Sequence, residues 1–69
     1  MKLSARNVLA GKIIAVTHGA VESEIVLELS EGVTIVSTIT KASAETMGLK
    51  VGSSASAIIK ASNVIIGVD

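Results

Sequence analysis

Between Val21 and Ile39 the chain has one reading as backbone. Val21, Ser23, Ile25, Leu27 and Leu29 fall on one face of an alternating run, with Glu22, Glu24, Val26 and Glu28 on the other. A period of two held this long is a half-buried β-strand. Ser30-Glu31-Gly32 follows, a short connection ending in the residue that accepts a left-handed backbone, which is a hairpin signal. Val33, Ile35, Ser37 and Ile39 then continue the apolar face, with Thr34, Val36 and Thr38 opposite. The hairpin has one wet face and one dry face, so the remaining residues must cover the dry one.

The flanking segments offer more strand than helix. Gly11 to Thr17 is apolar and β-branched, and His18-Gly19 supplies a turn into the alternating run. Ser54 to Lys60 alternates small polar with apolar residues, and Asn63 to Val68 is a further short apolar run. Only residues 41–47 suit a helix, with Thr40 as N-cap, Glu45 on an early turn and Gly48 as left-handed C-terminal cap. Lys50-Val51-Gly52-Ser53 reads as a turn. The expected architecture is all-β: one domain over residues 1–69, a five-stranded OB-like barrel with one short helix between strands three and four. The first strand is expected to begin around Ser4 and the last just after Ser62.

A barrel of 69 residues has difficulty stabilising itself. A chain of that length buries only about 60% of its unfolded surface. This one has no cysteine for a disulfide, a single histidine that cannot alone hold a metal, and no Phe, Tyr or Trp. Yet 49% of its residues are apolar, mostly aliphatic. Such a chain is expected to bury its surplus against copies of itself.

Charge narrows the function classes. The net charge is zero, with acidic residues at Glu22, Glu24, Glu28 and Glu31, whereas a nucleic-acid surface should be visibly basic. Without aromatics there is no platform on which single-stranded bases could stack. No run approaches the ~18 apolar residues of a membrane span, and Met1 to Arg6 has no apolar signal core. The expectation is a cytoplasmic protein with no nucleic-acid or membrane partner. Enzymatic activity is not expected either: no cysteine or tyrosine is present, and His18 has no evident acid partner.

Two polar motifs bracket the apolar chain: Ser4-Ala5-Arg6-Asn7 and Lys60-Ala61-Ser62. Each joins a permanent cation to hydroxyl-bearing neighbours, and neither contains a carboxylate. Arginine offers a planar fork of donors, lysine a point charge and serine a hydroxyl that rotates to suit. A site made only of donors fits a fully deprotonated tetrahedral dianion. A ligand that keeps a proton would leave it without an acceptor, at a cost of roughly 1–3 kcal/mol. Thr40 and Ser43 flank the helix start, where either simple capping or anion contact is consistent with the residues. His18 in its turn reads more simply as an exposed side chain.

With Ser4-Ala5-Arg6-Asn7, Gly11-Lys12-Ile13, Ile39-Thr40 with Ser43, Gly48-Leu49 and Lys60-Ala61-Ser62 in this order, the chain resembles the molbindins. These are small molybdate-binding proteins whose fold also occurs as the TOBE domain of molybdate transporters and regulators. The resemblance spans essentially the whole chain. It implies a hexamer, a trimer of dimers, that holds molybdate or tungstate at subunit interfaces. In that arrangement Ser4, Ala5 and Arg6 of one subunit meet Thr40, Ser43, Lys60, Ala61 and Ser62 of its neighbour. It further implies a second anion site on the three-fold axis, for which His18, Gly19, Ala20 and Val21 are the candidates. Relatives often carry lysine where this chain has His18, and Val8 stands where a polar residue often follows the first motif. No catalytic cofactor and no bare metal cation is implied.

The leading expectation is therefore cytoplasmic storage and homeostasis of molybdate or tungstate. The alternative is an oligomeric ligand-sensing or structural OB-like module in which the polar motifs only cap strands.

Overall fold

Each alternating run becomes a strand in the computed structural model, which describes residues 2–69. The elements are β1 (Asn7–His18), β2 (Glu22–Ser30), β3 (Val33–Thr40), the helix α1 (Lys41–Met47) and β4 (Ser54–Ile59), followed by a single 3-10 turn over Ala61–Asn63. The strands form one antiparallel sheet in the order β3-β2-β1-β4. The β2–β3 hairpin closes through Ser30↔Val33, with Gly32 at φ +77, the left-handed conformation that an L side chain disfavours.

β1 serves two partners. Its first part, Asn7 to Lys12, pairs with β4, and its second part, Lys12 to His18, pairs with β2. The register slips between Ile13 and Ala15, a bulge that bends the strand and lets the sheet curl. Gly11 lies where β1 passes close over β2: a Cβ there would sit 2.4 Å from the Glu28 carbonyl oxygen. Only glycine fits without backbone movement.

The curl gathers the apolar faces inward. Ile13, Ile25 and Leu27 are buried, with Val16, Leu29, Ile35, Ile39, Leu49, Ala55 and Ala57 packed around them. α1 contributes Ala44, which is also buried. The helix is held at both ends as its residues suggest. The Thr40 side chain accepts the Ser43 N–H, and Gly48 at φ 63 donates back to Ala44 and Glu45.

The fifth strand expected over residues 63–68 is not present, and β1 begins at Asn7 rather than Ser4. Asn63 ends the 3-10 turn, and residues 64–69 join no ladder. Ile65, Ile66 and Val68 are 93%, 83% and 93% exposed. The physical reason lies in the sheet order: β3 and β4 are its two free edges, and no strand among the described residues bridges them. Between them runs an apolar groove of about 330 Å³, floored by Ile25 and Leu27 and walled by Ile35, Ile39, Ala57 and Ile59, with Met47 and Leu49 along its rim.

Candidate functional site

The strand register brings the two bracketing motifs together. Asn7 and Ile59 are the terminal pair of the β1–β4 ladder, so Arg6 and Lys60 are the next residues beyond it, one on each strand. The Asn7 side chain strengthens this junction: its Nδ2 donates to the Ile59 carbonyl at 3.1 Å. Beyond Ile59, Lys60 is extended (φ −62, ψ 135) and then the chain turns tightly. Asn63 N–H donates to the Lys60 carbonyl at 2.9 Å and Val64 N–H to the Ala61 carbonyl at 3.2 Å. The turn leaves the N–H groups of Ala61 and Ser62 without a backbone partner among the described residues. Ser4, Arg6, Lys60, Ala61 and Ser62 are exposed, and Ala5 is half-buried. Exposed Arg6 and Lys60 and the free amides of Ala61 and Ser62 thus lie at the same end of the β1–β4 ladder.

Thr40 and Ser43 belong to the opposite end of the sheet. Thr40 pairs with Glu22, next to the His18↔Ser23 pair, whereas Arg6 and Lys60 flank the Asn7 end of β1. At about 3.3 Å per residue, the twelve residues of β1 traverse much of a molecule whose longest axis is 35 Å. Thr40 and Ser43 form a compact hydroxyl pair. Thr40 Oγ1 donates to Ser43 Oγ at 2.8 Å and accepts the Ser43 N–H at 3.1 Å. Both side chains are exposed. In one chain, then, the expected site residues fall into two groups, and no hydrogen bond among the described residues links them.

The turn over Gly19–Val21 lies near the second group. Gly19 N–H donates to the Glu22 carbonyl at 2.7 Å, and the Val21 carbonyl accepts the Lys41 N–H at 2.8 Å, which docks the turn on α1. Gly19 is required sterically, since a Cβ would approach the Glu22 carbonyl oxygen to 2.9 Å. His18 is not simply solvated: its Nδ1 lies 2.6 Å from Ser23 Oγ, and Ser23 is 1% exposed.

The sequence pattern alone marks neither Asn7 nor Ser23 as a positioning residue. Asn7 is the end of a polar motif, and its bond to Ile59 depends on register, which local residue pattern does not fix. Ser23 left a trace, as a polar residue on an otherwise apolar face. Among the described residues no group of three or more His, Cys, Asp or Glu could hold a metal ion, and no helix is long and apolar enough to cross a membrane.

The TOBE domain model matches residues 3–66. Molybdenum-pterin-binding protein 3 of Clostridium pasteurianum is 44% identical over 66 residues, which cover 96% of this chain and 97% of the relative. The solved molybdate-binding protein from Sporomusa ovata superposes with a TM-score of 0.92 at 29% identity, over 99% of this chain and all of that one. The cytoplasmic molybdate-binding protein ModG superposes with a TM-score of 0.95 at 51% identity, and this chain corresponds to 49% of it. The sequence match and the shared OB-like fold agree: the chain belongs to the TOBE family and, within it, to the Mop, or molbindin, group.

Proposed function

We propose that this protein binds molybdate or tungstate at the interfaces of a homo-oligomer and serves as a cytoplasmic store of the anion. The observation that carries the reading is the junction at Asn7 and Ile59, which sets Arg6 and Lys60 side by side at the end of the β1–β4 ladder. Two cations on adjoining strand ends favour an anion that lies between them, and the neighbouring hydroxyls and amides can donate to it. Thr40 and Ser43, at the far end of the sheet, complete such a site from a neighbouring chain. The relatives named for molybdate or molybdenum-pterin binding support the choice of ligand.

The oligomer follows from the same surfaces. An apolar C-terminal segment without a ladder partner and a groove open between β3 and β4 satisfy each other when two chains exchange segments. Repetition of the dimer into a hexamer creates a three-fold axis, where the His18–Val21 turns gather as a second anion site. Equilibrium dialysis of the native oligomer against molybdate, tungstate, sulfate and phosphate tests the reading. Saturable uptake of molybdate and tungstate is expected. A protein that retains none of the four is not an oxyanion store.

A further inference from the structure

We propose that Ser23 is a positioning residue that fixes the His18 imidazole with Nδ1 accepting from the Ser23 hydroxyl and a proton on Nε2, so that the β1–β2 turn presents an Nε2–H donor to an oxyanion. The inference rests on the reading of that turn as a second anion site and assigns the chemistry by which it would bind.

Ser23 is the buried polar residue in an otherwise apolar interior, 1% exposed. No buried side-chain oxygen or nitrogen among the described residues lacks a partner, and the partner of Ser23 Oγ is His18 Nδ1 at 2.6 Å. The direction of that bond follows from counting protons. If Nδ1 carried the proton and donated it, the Ser23 hydroxyl hydrogen would be left in the interior with no acceptor. An orphaned buried donor is a substantial cost, whereas a hydroxyl that donates to a bare Nδ1 leaves nothing unsatisfied. The imidazole proton is therefore on Nε2, the nitrogen that Ser23 does not hold. His18 and Ser23 face one another across the last pair of the β1–β2 ladder, so the ring is anchored on the strand side and its Nε2 is turned from it.

The neighbouring backbone matches this donor. Ala20 and Val21 are exposed, and their N–H groups make no backbone hydrogen bond among the described residues, while Gly19 N–H and the Val21 carbonyl are both engaged. The turn thus offers His18 Nε2–H and two amide donors with no carboxylate within it. His18 held by Ser23 gives this donor a fixed direction.

Long-range proton–nitrogen NMR of the imidazole, recorded on the intact oligomer with the ring neutral, reads the tautomer directly and needs no anion. The parent is expected to show the Nε2–H pattern alone, and Ser23→Ala a mixture of tautomers. Ser23→Thr, which keeps the hydroxyl, should restore the parent pattern. A parent ring protonated on Nδ1, or identical spectra for parent and Ser23→Ala, overturns the assignment. Molybdate titration then tests the donor role. His18→Ala should weaken the second class of sites roughly fivefold, the worth of one neutral hydrogen bond, and leave the first class unchanged. An unchanged second class in His18→Ala, or a parent with only one class of site, overturns the donor role. Loss of all molybdate binding in the parent instead removes the functional reading itself.

Discussion

Asn7 holds Ile59: the amide of the first residue of β1 donates to the carbonyl of the last residue of β4 at 3.1 Å, and the two are also partners in the ladder. A side-chain bond duplicated on a backbone pair fixes the spacing of whatever follows on each strand. Here that is Arg6 on one side and Lys60 on the other.

Asn7→Ala should therefore affect binding more than folding. Loss of one part-buried hydrogen bond costs about 1 kcal/mol of stability. The affinity for molybdate should also fall, because the two cations lose a common anchor. Asn7→Asp should be worse, since it places two acceptors against the Ile59 carbonyl and a negative charge beside Arg6. Thermal unfolding together with calorimetric titration separates the two effects. If both variants bind like the parent, the junction does not position the site.

Arg6→Ala and Lys60→Ala test the cations themselves. Each removes a charge-assisted partner of the anion, so each should weaken binding at the interface site tenfold or more, roughly. Ser4→Ala and Ser43→Ala remove neutral donors and should cost about 1 kcal/mol apiece, and Thr40→Val, which removes the hydroxyl that orients Ser43, should cost a similar amount. Without ligand, Lys60→Ala should be at least as stable as the parent, because it relieves repulsion between neighbouring cations. Titration calorimetry, after the oligomeric state of each variant has been checked, measures the losses. Parent-like affinity in both cation variants would show that the bracketing motifs are structural.

Gly11→Ala should be strongly destabilising despite adding only a methyl group. The new Cβ would meet the Glu28 carbonyl oxygen at 2.4 Å, a backbone atom that can move only if the β1–β2 ladder moves. Circular dichroism melts should show a large drop in midpoint for this variant.

The pattern in the sequence specified what is local. Alternation marked β2 and β3 because their faces differ in polarity, and Thr40 and Gly48 marked both ends of α1 because caps are read one residue at a time. The run from Val64 to Val68 has the same apolar character but forms no strand in one chain. A strand exists only with a partner, and the edges that could receive it belong to β3 and β4. Likewise the residues of the candidate site were legible as donors, whereas their meeting was not. Arg6 and Lys60 are brought together by the Asn7↔Ile59 register, and Thr40 is set apart from them by the length of β1. Both facts depend on pairing over long separations.

Deletion of residues 64–69 should dissolve the assembly. The segment exposes Ile65, Ile66 and Val68 almost completely, and burial of each such side chain is worth about 1.5–3 kcal/mol. The intact chain is expected to sediment as a multimer, most simply a hexamer, at micromolar concentration. The truncated chain should sediment as a monomer or aggregate through its open groove. It should also lose molybdate binding, because Thr40 and Ser43 of one chain would no longer reach Arg6 and Lys60 of another. A folded monomer from the intact chain under the same conditions would remove the burial argument and the interface site together.

Selectivity tests the chemistry of the site most directly. Arg6, Lys60, the hydroxyls of Ser4 and Ser62 and the amides of Ala61 and Ser62 can all donate, and the two motifs contain no carboxylate. Near neutral pH molybdate and tungstate are tetrahedral dianions without protons, so every contact can be made. Hydrogen phosphate carries a proton that a hydroxyl could accept only by turning its own hydrogen away from the anion, which forfeits a donor contact at a cost of roughly 1–3 kcal/mol, or about five- to 150-fold in affinity. Molybdate and tungstate should therefore compete for the same sites, and phosphate should bind far more weakly. Sulfate satisfies the donors but is smaller, so it should fall between them or fail to bridge the cations. Added salt should weaken binding only moderately, because charges enclosed at an interface are screened less than exposed ones. Competition calorimetry at fixed pH and ionic strength ranks the four anions. Equal affinities for phosphate and molybdate would place an acceptor inside the site, and the donor-only reading of the two motifs would be wrong.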